Sequence, residues 1–181
     1  MSSVIASRRY ALALLSAAEE GMFLDQATEA LNSIKETLDL SRDLVHVLRS
    51  PLINGDQKKH ILEEVFRNVA DEKVMIFLRL LAQKKRAGLL QQIILEFQKL
   101  LDEKNGIINI DIASAVKFSD EQEKELVNRL SAYTGKNVRP KTTIKEDLLG
   151  GITIKIGDTI LDGSVKHQLH LMKQALTSGK I

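Results

Sequence analysis

Apolar residues recur every three or four positions through the first hundred or so residues, the spacing of helices that bury one face. Gly and Pro interrupt this pattern only at positions suited to joints between helices. Asp56 and Asp71 stand where side-chain N-caps are expected. The pattern predicts a six-helix bundle, with helices over about 3–20, 24–40, 41–49, 56–66, 72–85 and 88–104.

The hydrophobic period changes after Gly106, where apolar and polar residues begin to alternate as in a half-buried strand. The alternating apolar positions are Ile108, Ile110 and Ile112. This change predicts a domain boundary. The fold class is therefore predicted to be mainly α, with a helical bundle over 1–105 and a small α+β domain over 106–181.

The second domain begins with a strand and is predicted to continue with a helix. Ser119 and Gln122 form a capping-box pattern for a helix that runs to about Tyr133. An edge strand is expected over 138–145, because Pro140 cannot donate a hydrogen bond to a central ladder.

A hairpin and a last helix complete the second domain. Gly157 and Asp158 separate two β-type runs and suit a tight turn. A helix from about Ser164 presents apolar side chains at helical spacing. These side chains are Val165, Leu169, Met172 and Leu176.

The segment 150–169, GGITIKIGDTILDGSVKHQL, resembles the C-terminal signature of the ATP synthase delta subunit family, whose mitochondrial members are the oligomycin-sensitivity-conferring proteins. Segments 6–14 and 77–90 also resemble that family's first helix and its fifth-to-sixth helix junction. One departure is Lys85, where many members have Gly or Asn. The signature positions are Gly151, Gly157, Asp158, Asp162, Gly163 and Ser164.

The resemblance implies a non-catalytic stator subunit without a cofactor. By resemblance, the bundle binds the N-terminal helix of an alpha subunit on the catalytic head, and the second domain binds the b subunits of the peripheral stalk. One copy per complex would resist rotor torque during proton-driven ATP synthesis. The resemblance places the protein at the cytoplasmic face of a bacterial membrane, without inserting into it.

Two helices carry more apolar surface than one core requires. The apolar arc of the first helix exceeds half of its circumference, and the helix over 72–85 is apolar nearly all round. The latter is either a central core helix or part of a groove for a partner helix. We expect the groove to be lined by Tyr10, Ala13, Ala17, Phe77, Leu78 and Leu81.

The amino-acid composition excludes several functional classes. The chain has no cysteine, which excludes disulfides, thiolate metal sites and Cys nucleophiles. Its formal net charge is +2, unlike that of a protein built to neutralise phosphates. No apolar stretch is long enough to span a bilayer.

Candidate chemical sites are incomplete in the sequence. His60 with Glu64, and His167 with His170, share helix faces but have no evident third metal ligand. The glycines fit neither a P-loop nor a dinucleotide-binding motif. The basic cluster 84–86 suits the negative end of a helix dipole. The alternatives are a helical RNA-binding or assembly adaptor and, third, a small hydrolase.

Overall fold

The computed structural model describes residues 3–177, which form two compact units. The division falls between Leu101 and Asp102. The first unit is helical, and the second combines a small sheet with helices. The prediction of a mainly α chain with a small C-terminal sheet is confirmed.

The helices of the first unit all contribute side chains to one hydrophobic cluster. A short 3-10 turn, Ala87–Leu89, precedes the last of them. The largest fully buried side chains of this core include Phe66, Phe97 and Leu31. The helices are α1 (Ser3–Glu20), α2 (Leu24–Leu40), α3 (Arg42–Arg49), α4 (Gly55–Phe66), α5 (Glu72–Gln83) and α6 (Leu90–Lys104).

The N-cap of α4 differs from the sequence prediction. Asn54 caps the helix, not Asp56. The Asn54 side chain accepts a hydrogen bond from the Gln57 backbone N–H at 2.8 Å, and the Gln57 side chain accepts one from the Asn54 N–H at 3.3 Å. This reciprocal pair satisfies two helix-end donors, which a cap at Asp56 would leave open. Asp71 occupies the N-cap position of α5 but makes no capping hydrogen bond through its side chain.

Two α-helices of the first unit end at left-handed residues that are not glycine. Lys85 has φ 57°, and the chain closes α5 with hydrogen bonds from Arg86 N–H to the Leu81 carbonyl and from Lys85 N–H to the Ala82 carbonyl. This is a Schellman ending, in which glycine is the preferred residue at the position of Lys85. Met22, with φ 52°, holds the same place after α1.

The second unit is built on a four-stranded sheet of β1 (Ile107–Ser114), β2 (Asn137–Ile144), β3 (Ile152–Ile156) and β4 (Thr159–Asp162), in the order β2-β1-β3-β4. The strands β1 and β2 are parallel, and the other neighbours are antiparallel. The predicted edge position of the strand that contains Pro140 is confirmed.

Two helices accompany this sheet. The helix α7 (Asp120–Thr134) connects the parallel strands and packs Leu130 against Ile110, Ile112 and Ile154. Its predicted capping box, Ser119 with Gln122, is present. The last helix, α8 (Val165–Thr177), buries none of its side chains. Across residues 3–177, no helix is both long enough and apolar enough to cross a membrane.

Candidate partner-binding surfaces

The exposed flank of α1 is apolar and carries small residues. Ala13 and Ala17 are exposed, while Tyr10 is half-buried against the core. On a separate stripe of the helix, Ile5 is 56% exposed and Leu12 is 53% exposed. Residues three, four and seven apart share a helical face, so Ile5 and Leu12 form one stripe and Tyr10, Ala13 and Ala17 form another, with the exposed Arg9 and Ser16 between them. The small residues of the stripe with Tyr10 allow another helix to approach closely.

The groove residues predicted on α5 lie in the core. Phe77 is 8% exposed, and Leu78 and Leu81 are fully buried. The structure therefore does not bring the six groove residues together on one open surface, and core packing explains these three. The apolar side chains that α5 does expose are Ile76 at 56% and Leu80 at 40%.

The first turn of α5 is fixed to the turn that follows α1. Lys73 Nζ donates a hydrogen bond to the Gly21 carbonyl at 3.1 Å. The same ammonium lies 4.5 Å from the centroid of the Phe23 ring, which is the geometry of a cation–π contact. These contacts hold the start of α5 beside the end of α1.

An ion-pair cluster orders the outer side of α5. Arg79 donates to Glu63 of α4 at 2.6 Å and to Glu72 at 2.7 Å. The hydrogen bond from Arg79 lowers the pKa of the Glu63 carboxyl below its ordinary value. The guanidinium pKa is raised in turn, chiefly by the hydrogen bond to Glu72 and then by that to Glu63. Arg79 therefore ties α5 to α4 through Glu63.

The signature glycines of the second unit act through backbone geometry. Gly151 has φ 74°, and a Cβ at this position would overlap the carbonyl oxygen of Gly163. The close approach allows Gly163 N–H to bond the Ile152 carbonyl at 2.9 Å. Gly157, with φ 58°, is the first residue of the tight β3–β4 turn and is followed by Asp158.

Asp162 and Ser164 join the hairpin to α8. One Asp162 oxygen accepts from the Ser164 N–H at 2.9 Å and from the Thr153 hydroxyl at 3.2 Å. These bonds lower the pKa of the Asp162 carboxyl, the Ser164 backbone contributing most. The Ser164 hydroxyl accepts from the His167 N–H at 3.2 Å and caps the helix. The signature therefore builds the junction between the sheet and α8.

The apolar face of α8 is open to solvent. The exposed fraction rises from 40% at Val165 to 69% at Leu176. Leu169 and Met172 lie between them on the same face and are also exposed. An amphipathic helix whose apolar stripe remains largely exposed in its own unit has a surface suited to a partner helix.

The candidate metal and anion residues are not gathered into a centre. No group of three or more His, Asp or Glu side chains able to hold a metal occurs within residues 3–177. His60 approaches Glu63, at 3.9 Å, instead of the predicted Glu64. In the basic cluster, Lys84 is the C-cap residue of α5 and Lys85 and Arg86 follow it in the Schellman turn, where cations face the negative end of the helix dipole.

The ATP synthase delta (OSCP) subunit family matches residues 6–176 of the chain. The chain belongs to this family. It is 74% identical to the ATP synthase subunit delta of Chlorobium limicola and 66% identical to that of Chlorobium phaeobacteroides. Each alignment covers 100% of this chain and 100% of the relative. The expected family is thus confirmed. Members are structural subunits of ATP synthase and not its catalytic ones, and a stator role fits the family.

The fold is also found in a solved assembly. A chain of the Toxoplasma gondii mitochondrial ATP synthase hexamer superposes with a TM-score of 0.69 at 24% identity, over 94% of this chain and 97% of that one. At this identity the likeness concerns the fold. The delta-family fold is therefore shared across distant sequences.

Sequence reasoning missed the exposed apolar positions Ile5, Leu12, Ile76 and Leu80. Helical periodicity places them on the same broad apolar arcs as their buried neighbours, so it cannot distinguish covered from open positions. The one available signal was the excess width of those arcs.

Proposed function

We propose that the protein is the stator subunit that links the catalytic head of a rotary ATP synthase to its peripheral stalk. Family membership supports this proposal most strongly. Two separate compact units, each with an exposed apolar helical surface, suit a part that grips two neighbours. Resistance to rotor torque requires both attachments at once.

The head attachment is assigned to the predicted six-helix bundle over 1–105. Its docking surface is the α1 flank around Ala13, Ala17 and the half-buried Tyr10. The occupant is the N-terminal helix of an alpha subunit. Phe77, Leu78 and Leu81 support this surface from the core and do not contact the partner directly.

The stalk attachment is assigned to the α+β domain over 106–181. The open face of α8, from Val165 to Leu176, takes the end of the b-subunit coiled coil. The signature junction at Gly151 and Asp162 fixes the first turn of α8 to the sheet. Force on the stalk is thereby passed to the sheet through backbone hydrogen bonds.

A single copy is proposed to serve one complex at the cytoplasmic face of a bacterial membrane. The head and the stalk are assigned to surfaces on different units of the chain.

The test is a bridging assay with the full-length chain. Immobilised b-subunit fragment is incubated with purified catalytic head, with and without the protein. The proposal expects the head to be retained only when the protein is present, and retention to fall with Met172→Glu or Ala17→Glu. If the head is retained equally well by both variants, the assignment of the two docking surfaces is refuted.

A further inference from the structure

A cleft of about 220 Å³ lies between the end of α2, the helix α3 and the start of α6. Leu38, which is 2% exposed, and the half-buried Val45 give it an apolar floor. This volume is close to that of one large side chain. The cleft is separate from the proposed α1 and α8 surfaces, whose residues do not line it.

The rim of the cleft is basic. Arg42, His46 and Arg49 stand at i, i+4 and i+7 on α3 and so share one helical face. All three are exposed. Within residues 3–177, the side chains of Arg42 and His46 make no hydrogen bond or ion pair. The guanidinium of Arg42 and the imidazole of His46 are thus available to a ligand.

Arg49 is held in place by a chain of hydrogen bonds. Its Nη2 donates to Gln91 Oε1 at 3.2 Å, and Gln91 Nε2 donates to Asp39 at 3.1 Å. The backbone permits this because Gly88 lies against α3: a Cβ there would come within 3.2 Å of the Arg49 Cα. Arg49 is thereby pre-organised at one end of the rim, which lowers the entropy cost of binding.

We propose that this cleft binds an acidic amphipathic helix of a protein partner. The seven-residue spacing of Arg42 and Arg49 corresponds to about 10.5 Å along the axis of α3. Two carboxylates seven residues apart on a partner helix match this separation. A large apolar side chain three or four residues after the first carboxylate lies on the same face and enters the cleft.

The residues that line the cleft favour an acidic amphipathic helix over a phosphate ligand. Asp39 lies in the wall, where its carboxylate repels a compact multivalent anion and accepts a hydrogen bond from Gln91. The apolar floor at Leu38 and Val45 gives a phosphate nothing to bond. A helix that presents two separated carboxylates and one apolar side chain satisfies the rim and the floor together.

The experiment uses the full-length protein and a fluorescent, Ala-based helical peptide with Glu at i, Phe at i+4 and Glu at i+7. Binding is followed by fluorescence anisotropy at low and high salt. The proposal expects saturable binding that weakens with salt, as for any exposed charge pair. Replacing both Glu by Gln, or Phe by Ala, is expected to weaken binding about fivefold or more.

Protein variants locate the contact. Arg42→Glu and Arg49→Glu are each expected to lower the affinity about fivefold. Arg67→Glu is the matched control, because Arg67 is exposed in the same unit but does not line the cleft. Circular dichroism verifies that each variant is folded.

Several outcomes would overturn the proposal. These are absence of peptide binding, equal binding of the Gln peptide, or equal effects of Arg42→Glu and Arg67→Glu. A random RNA oligonucleotide that binds through Arg42, with no peptide binding, would assign the cleft to nucleic acid instead. Because Ala17→Glu leaves this cleft untouched, failure here is distinguishable from failure of the head attachment.

Discussion

Gly151 and Gly163 pass so close to each other that a Cβ on Gly151 would overlap the Gly163 carbonyl oxygen. The contact lies where β3 begins and where the chain leaves β4 for α8. Because Gly151 also has φ 74°, both its conformation and its lack of a side chain are required. The most family-specific segment of the sequence is therefore a structural joint.

Gly151→Ala is expected to destabilise the second unit by more than about 2 kcal/mol, because the backbone must move to relieve the overlap. Gly157→Ala is the matched control, since Gly157 has a similar φ of 58° but nothing within 4 Å of an added Cβ. It is expected to cost about 1 kcal/mol. Urea unfolding of the full-length variants measures both, and equal losses would contradict the role of the Gly163 contact.

Lys85→Gly is expected to stabilise the first unit by about 0.5–1 kcal/mol, because Lys85 occupies the left-handed position of a Schellman ending. Lys84→Gly provides the comparison. Lys84 has φ −78°, where glycine offers no advantage and only adds freedom to the unfolded chain. In thermal unfolding, the midpoint temperature should be higher for Lys85→Gly and lower for Lys84→Gly than for the parent protein. Parallel shifts would show that charge, and not backbone conformation, matters here.

Asp162 makes the stability of the second unit depend on pH in the acid range. Its carboxyl pKa is lowered in the fold, mainly by the Ser164 N–H. A lowered folded pKa means that the stabilisation is present above the ordinary value of 3.8 and is lost as pH falls through the folded value. Asp162→Asn should flatten this part of the pH profile. Hydrogen exchange at the start of α8 is the measurement, and an unchanged profile would exclude Asp162 as its source.

Leu78→Ala is expected to cost about 2–5 kcal/mol, because Leu78 is fully buried in the helical core. Ile76→Ala, at a 56% exposed position on the same helix, should cost well under 1 kcal/mol. Denaturant titration of both variants separates core from surface on α5. A small loss for Leu78→Ala would reopen the possibility that it lines an accessible groove.

Hydrophobic periodicity sufficed for much of the fold. It predicted α1 and α2 at the bounds that the structure shows, and the capping box at Ser119 was visible in the sequence. These signals are local, since a helix and its cap are set by residues within one or two turns.

Some helix ends could not be predicted because two local solutions compete. Asn54 with Gln57 completes a reciprocal cap that outcompetes Asp56. Helix α1 ends just before Gly21, where a Cβ would meet the Phe23 ring at 2.8 Å, but the left-handed residue is the next one, Met22. Such choices depend on packing around the turn.

The candidate sites depended on tertiary structure even more strongly. Ala13 and Ala17 are open, but Leu78 and Leu81 are covered, although all four belong to broad apolar arcs. Which arc faces the core is decided by the neighbouring helices. The cleft beside α3 likewise needs Gln91 to meet Arg49 across forty-two positions of sequence.

The central claim, that the α1 flank holds the alpha-subunit N-terminal helix, is tested most directly by calorimetric titration of the full-length protein with that helix as a peptide. Ala13→Glu and Ala17→Glu alter exposed positions, so the fold should be retained. The account predicts saturable binding by the parent protein and at least a tenfold loss of affinity in the double variant. Unchanged affinity in a folded double variant would contradict it.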